Sequence, residues 1–310
     1  VADGVCVRLY SEEDFTARPE FTTPEILRTS LAAVILRMEA VGLGSIGAFP
    51  FVEPPSAKMV EAGYQLLLEL GAVDAQRKLT PIGRQLAKLP VDPRVGRMLL
   101  AAATTNCLSE VLIIGAALCV QDPRERPMAQ RAEAQARHTQ FFDERSDFSG
   151  MLKLWVFFEE ALKHKKSNRK LHELCRENFL AYLRLKEWRD VHTQLHALVA
   201  EMGMQLNTAP ATYEQLHRAL LTGLLGNIGM RDPEADQARS GVSGSYLGAR
   251  DSRPHISNES GLAKKKVKWV MAAEMVETQR LYARNVAAIE PEWAEAAAGG
   301  LVKRSYSDPH

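Results

Sequence analysis

The sequence predicts a multidomain, mainly α-helical protein that ends in a small β-barrel. Two helix-start signals, at residues 80–81 and 92–93, lie on either side of Pro90, whose ring stops a helix. A long run of apolar residues at helical spacing covers residues 177–204. From residue 231 onward, short alternating stretches are separated by turns rich in glycine, serine and proline. This last texture is typical of a small barrel.

The composition is that of a globular protein and excludes several classes. The chain has 310 residues, 46% hydrophobic and 25% charged, and its net charge is +1. No global field draws it toward nucleic acid, so a nucleic-acid surface would have to come from local clusters. The four cysteines are far apart and form no CxxC pair, which favours reduced thiols and a cytoplasmic protein. No signal peptide or membrane-spanning run is visible, so we expect no membrane partner.

The first ninety residues predict a winged-helix domain. Residues 5–10 alternate like a strand, and Ser11 starts a short capped turn. Pro24 and Ser56 each open a helix, and residues 72–79 resemble a small hairpin that leads into the helix after Thr80. Helix, helix, hairpin and helix in a compact span is the winged-helix pattern. The alternative is a featureless helical linker.

The rest of the sequence, from residue 93 onward, predicts a helical bundle followed by strands. Apolar stripes predict helices over residues 93–105, 109–120, 148–164 and 212–225, with a further helix ending at residue 138 and one long central helix over residues 177–204. A core strand is expected over residues 269–276, and residues 302–307 alternate like another strand. Because lone strands stand at both ends, we expect a piece cut from a longer protein.

Few motifs carry chemistry. The GxGxxG match at residues 42–47 follows a helix instead of a strand, so a helix C-cap explains it better than a dinucleotide site. His192 and His196 have metal-ligand spacing, but no third ligand is evident, and surface histidines are the simpler interpretation. We find no Walker A loop, no nucleophile elbow and no paired catalytic carboxylates. The sequence therefore predicts no catalytic residue and no metal site.

The clearest charge cluster contains Lys264, Lys265, Lys266 and Lys268, just before the predicted core strand. It could be a solvated loop that guards an edge strand, or a phosphate-contacting loop on a barrel face. Charge alone does not separate the two readings, although Arg250 nearby favours nucleic acid. Cations on the long helix, such as Arg189, fit either a solvated face or a helix that lies along a nucleic-acid strand.

Several segments, taken in order, resemble the region after the motor in DEAH-box RNA helicases, closest to the bacterial HrpA type. The matching segments are residues 23–28, 51–55, 78–84, 89–99, 178–179, 189–190, 194–195, 268–278 and 291–293. The resemblance implies the end of a second RecA-like domain over residues 1–20, a winged helix over 21–91, a helical ratchet bundle over 92–208 and an OB-fold, truncated at its C-terminus, over 209–310.

The resemblance also implies a function. The chain would be an accessory C-terminal region that forms part of a single-stranded RNA channel and supports unwinding by motor domains, which bind ATP and Mg²⁺. The chain lacks the Walker A loop and the DEAH box, so it should hold no cofactor and should not hydrolyse ATP alone. The expected phosphate contacts are Arg250, Lys264, Lys265, Lys266 and Lys268. For the ratchet helix, the expected contacts are Asn178 and Arg189.

A protein-docking module that binds an activator is the competing interpretation, since winged helices and bundles often bind proteins. If Arg250 and the lysine run share one open groove with the long helix, nucleic acid is favoured. If these cations are scattered and an apolar patch is exposed instead, docking is favoured.

Overall fold

The computed structural model describes residues 4–22, 24–27, 30–164, 167–233 and 244–301. The α-helices of these residues are α1 (Glu12–Ala17), α2 (Ala32–Val41), α3 (Ala57–Glu69), α4 (Pro81–Leu86), α5 (Pro93–Thr104), α6 (Leu108–Leu118), α7 (Arg131–His138), α8 (Asp147–His164), α9 (Asn168–Glu177), α10 (Tyr182–Glu201), α11 (Tyr213–Leu221) and α12 (Pro291–Ala298). The strands are β1 (Ile228–Arg231), β2 (Tyr246–Gly248), β3 (His255–Ile256), β4 (Trp269–Glu277) and β5 (Leu281–Ala288).

The predicted corner between α4 and α5 forms from local signals. The Thr80 hydroxyl accepts a hydrogen bond from the Gly83 backbone N–H at 3.0 Å and caps α4. The Asp92 carboxylate does the same for α5 through the Arg94 N–H at 2.8 Å. Before the corner, Val73 and Leu79 form an antiparallel bridge, so the predicted hairpin is present in its shortest form.

The chain packs around separate apolar cores. The first core lies between α2, α3 and the hairpin, and the largest one fills the bundle of α5, α6, α8, α10 and α11. The bundle core also takes in Met271, Ala287 and Ile289 from the sheet and the residue after it, so bundle and sheet share one interior. A small third core lies within the sheet itself, around Tyr246 and Val286.

The five strands form one curled sheet in the order β2-β1-β4-β5-β3. Most neighbours are antiparallel, and the short β3 pairs in parallel with β5 through His255 opposite Tyr282. The predicted strand over residues 269–276 is confirmed as β4. Together with the helices, the sheet agrees with the expected combination of helical domains and a small barrel.

Three predicted elements differ from the structure. The helix expected to open at Pro24 begins only at Ala32, and Glu25–Leu27 forms a short 3-10 turn before it. Residues 5–10 do not form a strand, because no neighbouring strand among the described residues pairs with them, and Val5 and Leu9 remain 94% and 95% exposed. The long helix predicted over residues 177–204 is present as α10, which begins only at Tyr182, and α9 is a separate helix that ends at Glu177. Phe179 adopts a left-handed backbone conformation with φ of 52°, which ends α9 and turns the chain before α10 begins. The predicted strand over residues 302–307 lies outside the described residues.

The start of α8 fastens the bundle to the sheet. The Asp147 carboxylate accepts hydrogen bonds from the backbone N–H groups of Gly261 and Val286, at 2.9 and 2.8 Å. Burial raises the pKa of Asp147, which is only 7% exposed. The Tyr213 hydroxyl lies 2.8 Å from the backbone oxygen of Ala288. The sheet is therefore held by specific polar contacts as well as by shared apolar packing.

Candidate nucleic-acid interface

The predicted lysine run forms a turn that leads into β4. The Lys265 backbone N–H donates to the Leu262 carbonyl at 2.9 Å, and this closes a turn that presents the lysines. Lys264, Lys266 and Lys268 are exposed. Lys265 is half-buried, and its ammonium lies 3.3 Å from the Glu144 carboxylate. Three of the four lysines are thus presented to solvent, while Lys265 has an acidic neighbour.

A cleft of about 420 Å³ opens beside this turn. The described residues that line it are Arg231, Gly244, Tyr246, His255, Ile256, Asn258, Ala263, Lys264, Lys265, Lys266, Arg280 and Tyr282. Five of these carry positive charge and none is an aspartate or glutamate. We call this site the basic cleft. A concave surface with one sign of charge concentrates the field on an anion such as phosphate.

The basic cleft also contains two flat rings on neighbouring strands. His255 and Tyr282 are directly paired in the ladder, and their ring centroids are 6.4 Å apart. Burial, together with the nearby Arg280 guanidinium, lowers the pKa of His255. This shift favours the neutral form of the ring, and lysine and arginine carry the positive charge of the cleft.

Two of the predicted phosphate contacts do not line the basic cleft. Arg250 lies in a short loop after β2, with φ of 56°, and its guanidinium forms an ion pair with Glu69 at the end of α3. This pair connects the sheet to the first helical core. Lys268 lies just before β4, where its backbone oxygen accepts a hydrogen bond from the Arg231 N–H at 2.8 Å. The structure brings together Lys264, Lys265 and Lys266, but not Arg250.

The predicted ratchet residues both have protein partners. The Asn178 amide nitrogen donates to the Leu174 carbonyl at 2.9 Å, and its amide oxygen accepts from Gln140 at 2.9 Å. Asn178 therefore serves as the C-cap of α9 in this structure. The Arg189 guanidinium donates to Glu159 of α8 at 2.8 Å while its side chain remains 52% exposed. Arg189 keeps a face open to solvent, whereas the amide nitrogen and the amide oxygen of Asn178 each have a protein partner.

A second cleft of about 450 Å³ lies between the bundle and the sheet, and we call it the junction cleft. Residues Arg184 and Trp188 of α10 line one wall, and Glu274 and Arg284 of the sheet line another. Arg126 also lines it; its side chain is 10% exposed and one of its terminal nitrogens has no hydrogen-bond partner. The predicted long helix therefore meets the sheet here, and not at the lysine run.

Sequence reasoning missed several lining residues of the basic cleft, notably Arg231, Arg280 and Tyr282. A signal was present in the order Arg-Leu-Tyr-Ala-Arg over residues 280–284, since alternate residues of a strand share one face. Whether these alternate residues line a cleft depends on which face of the sheet stays open to solvent, and tertiary packing decides that.

No helix of the described part of the chain is both long enough and apolar enough to cross a membrane. Within the same residues, no group of three or more His, Cys, Asp or Glu side chains is arranged to hold a metal ion. His192 instead packs against Trp155, with ring centroids 4.7 Å apart.

Comparison with known proteins identifies three domains in order. A family described as helicase associated domain (HA2), winged-helix, matches residues 64–91, and one described as helicase associated domain (HA2), ratchet-like, matches residues 92–179. A family described as oligonucleotide/oligosaccharide-binding (OB)-fold matches residues 216–301.

Relatives cover the chain over its full length. It is 50% identical to the ATP-dependent RNA helicase HrpA of Escherichia coli, over 100% of this chain and 24% of that protein. It is 48% identical to the HrpA homolog of Haemophilus influenzae with the same two coverages, and 32% identical to the human probable ATP-dependent RNA helicase DHX35, over 94% of this chain and 39% of that protein. The chain thus spans about a quarter of the length of its HrpA relatives. It belongs to the DEAH-box RNA helicase family, in which it corresponds to the C-terminal region of the HrpA type.

Proposed function

We propose that this chain is the accessory C-terminal region of an ATP-dependent RNA helicase and forms part of its single-stranded RNA channel. Winged helix, ratchet bundle and OB-fold would follow one another along the channel, and motor domains of the same protein would bind ATP and Mg²⁺ and drive unwinding. The observation that carries the proposal is the basic cleft, whose described lining residues include five cations, two flat rings and no aspartate or glutamate. Such grooves hold single strands without reading their sequence.

The positions of Arg184 and Arg284 support a channel that continues beyond the basic cleft. Both residues line the junction cleft, one from the long helix and one from β5, in a lining that also contains four carboxylates, those of Asp122, Asp147, Glu259 and Glu274. A strand bound along β5 would therefore pass the ratchet helix at the junction, which is the arrangement expected if this helix contacts RNA while the motor cycles. Arg250 would contribute indirectly, by fixing the sheet against α3 through Glu69.

Exposed apolar side chains favour a docking role for other parts of the surface. In the segment before α2, Val7 and Phe21 are 76% and 79% exposed. In the loop before α3, Val52 is fully exposed. We propose that the segment before α2, which contains Val7 and Phe21, contacts the motor domains. Binding of an activator protein remains the second candidate function and is favoured by these same side chains.

The test is binding of a short single-stranded RNA at several salt concentrations. We expect Lys264→Ala combined with Lys266→Ala to weaken binding and to reduce the slope of log K against log salt by roughly 1.4, because each lost phosphate contact removes about 0.7. The matched control combines Lys58→Ala with Lys88→Ala, which removes the same charge at exposed sites outside the sheet. Equal binding by the two double variants would contradict the proposal and leave docking as the better account.

A further inference from the structure

Strand β5 and the residue just before it place two arginines and a tyrosine on one side of the sheet. Tyr282 and Arg284 are two residues apart in the strand, so their side chains leave the same face of the sheet. Ala283, between them, is 2% exposed and belongs to the small core on the opposite face. Arg280 comes just before the strand and lines the basic cleft together with Tyr282. The alternation therefore separates a buried residue from three outward ones.

The two arginines are available to a ligand. Within the part of the chain that the structure describes, neither Arg280 nor Arg284 forms an ion pair, and both are exposed. Arg284 stands opposite Glu274 in the ladder, but no contact within 4 Å joins the two charges. Because unpaired guanidinium groups bind phosphate oxygens through paired N–H donors, both suit a nucleic-acid backbone.

Tyr282 lies where the two clefts meet. It lines the basic cleft, and Arg284, about 7 Å further along the strand, lines the junction cleft. The loop after β3 links the same two sites, because Asn258 lines the basic cleft and Ser257 lines the junction cleft. A spacing of this size is on the scale of one or two nucleotides of a single strand. A strand that follows β5 from one cleft to the other would therefore pass the tyrosine ring.

We propose that Tyr282 stacks an unpaired base while Arg280 and Arg284 contact the phosphates on either side of it. This inference rests on the proposed function, since it assigns the base-contacting residue of the same RNA path. The His255 ring lies beside Tyr282, with ring centroids 6.4 Å apart, and borders the stacking site. Stacking needs an exposed base face, so the site selects single strands over duplexes and over polyanions that carry no base, without selecting a sequence.

The experiment compares a short oligouridine with an oligonucleotide of the same length in which all bases are absent, using the full chain and fluorescence anisotropy. The wild-type chain should bind the base-bearing strand about tenfold more tightly than the abasic one. Tyr282→Ala should lose this preference and leave the salt slope unchanged, because it removes no charge. Tyr282→Phe keeps the ring and should retain the preference.

Each outcome separates the two proposals. Equal binding of base-bearing and abasic strands by the wild-type chain, with affinity that still depends on Lys264 and Lys266, would overturn the stacking site and leave the proposed function in place. Equal preference for bases in Tyr282→Ala and in the wild-type chain would also overturn it. No measurable binding of either strand by the wild-type chain would overturn the proposed function, and the stacking site with it. The comparison of the two strands needs no variant, so a folding defect in Tyr282→Ala does not affect it.

Discussion

His217 of α11 should make the stability of this chain depend on pH. Its ring is fully buried and lies between two polar partners. The Nδ1–H donates to the Tyr213 carbonyl at 2.7 Å, and Nε2 then accepts from the Ser146 hydroxyl at 2.6 Å. Burial lowers the pKa of His217 to about 4, the Arg145 guanidinium lowers it too, and the Tyr213 carbonyl and Asp143 oppose the shift.

The direction of the effect follows from the two pKa values. In the unfolded chain the histidine titrates near 6.5, whereas in the folded chain it titrates near 4. The folded state therefore holds its full stability above pH 6.5 and loses it as pH falls toward 4, because protons bind the unfolded state first. A difference of about 2.5 pKa units corresponds to roughly 3 kcal/mol, of which about 2 kcal/mol is lost by pH 5.

The assay is urea unfolding, followed by the fluorescence of Trp155 and Trp188, which pack in the same bundle core. Between about pH 7.5 and pH 5, the wild-type chain should lose about 2 kcal/mol more unfolding free energy than His217→Gln, whose side chain does not titrate. The matched control is His164→Gln, since the His164 side chain is 77% exposed and should leave the pH dependence unchanged. Identical losses in the wild-type chain and His217→Gln would refute the reasoning.

Three further predictions concern the corner, the junction and the loop after β2. Gly83→Ala should destabilise the first core by about 1–3 kcal/mol, because the added Cβ would lie 2.0 Å from the Ala72 backbone oxygen. Gly47→Ala is the control, because its Cβ would meet no atom closer than 3.8 Å, and thermal unfolding of the two variants measures the difference. Asp147→Asn should lower the free energy of unfolding in urea by about 1–3 kcal/mol, because the amide NH2 group would face a backbone N–H and two donors would meet. An unchanged urea midpoint would contradict this account. Arg250→Ala should alter stability by less than about 1 kcal/mol, since its ion pair is 69% exposed on the arginine side, and should leave the salt slope of RNA binding unchanged.

Features fixed by neighbouring residues were predictable from the sequence. Thr80 with Pro81, and Asp92 with Pro93, define the starts of α4 and α5 through contacts within one helical turn, so the corner is where the pattern puts it. Gly42 likewise ends α2 with φ of 72°, as the C-cap interpretation requires. These elements need no information from the rest of the chain.

Features that depend on distant residues were not predictable in the same way. The apolar stripe continues across residues 178–181, but Phe179 turns the chain there, and its carbonyl accepts hydrogen bonds from Glu125 and His138. Arg250 was expected near the lysines, yet its partner is Glu69, which is 181 residues away in sequence. Helical periodicity and local charge do not show which residues distant in sequence will contact each other.

The contacts of Asp147 explain how the two clefts are held in a fixed relation. One carboxylate oxygen binds the N–H of Gly261, three residues before Lys264, and the other binds the N–H of Val286, two residues after Arg284. The lysine turn and the outward arginine of β5 are therefore fastened to the same buried side chain at the start of α8. Since a buried carboxylate left without one of these donors would cost several kcal/mol, breaking either contact is unfavourable. A displacement of the bundle would then carry both ends of the proposed RNA path with it, as the proposed coupling of the helical bundle to the basic cleft requires.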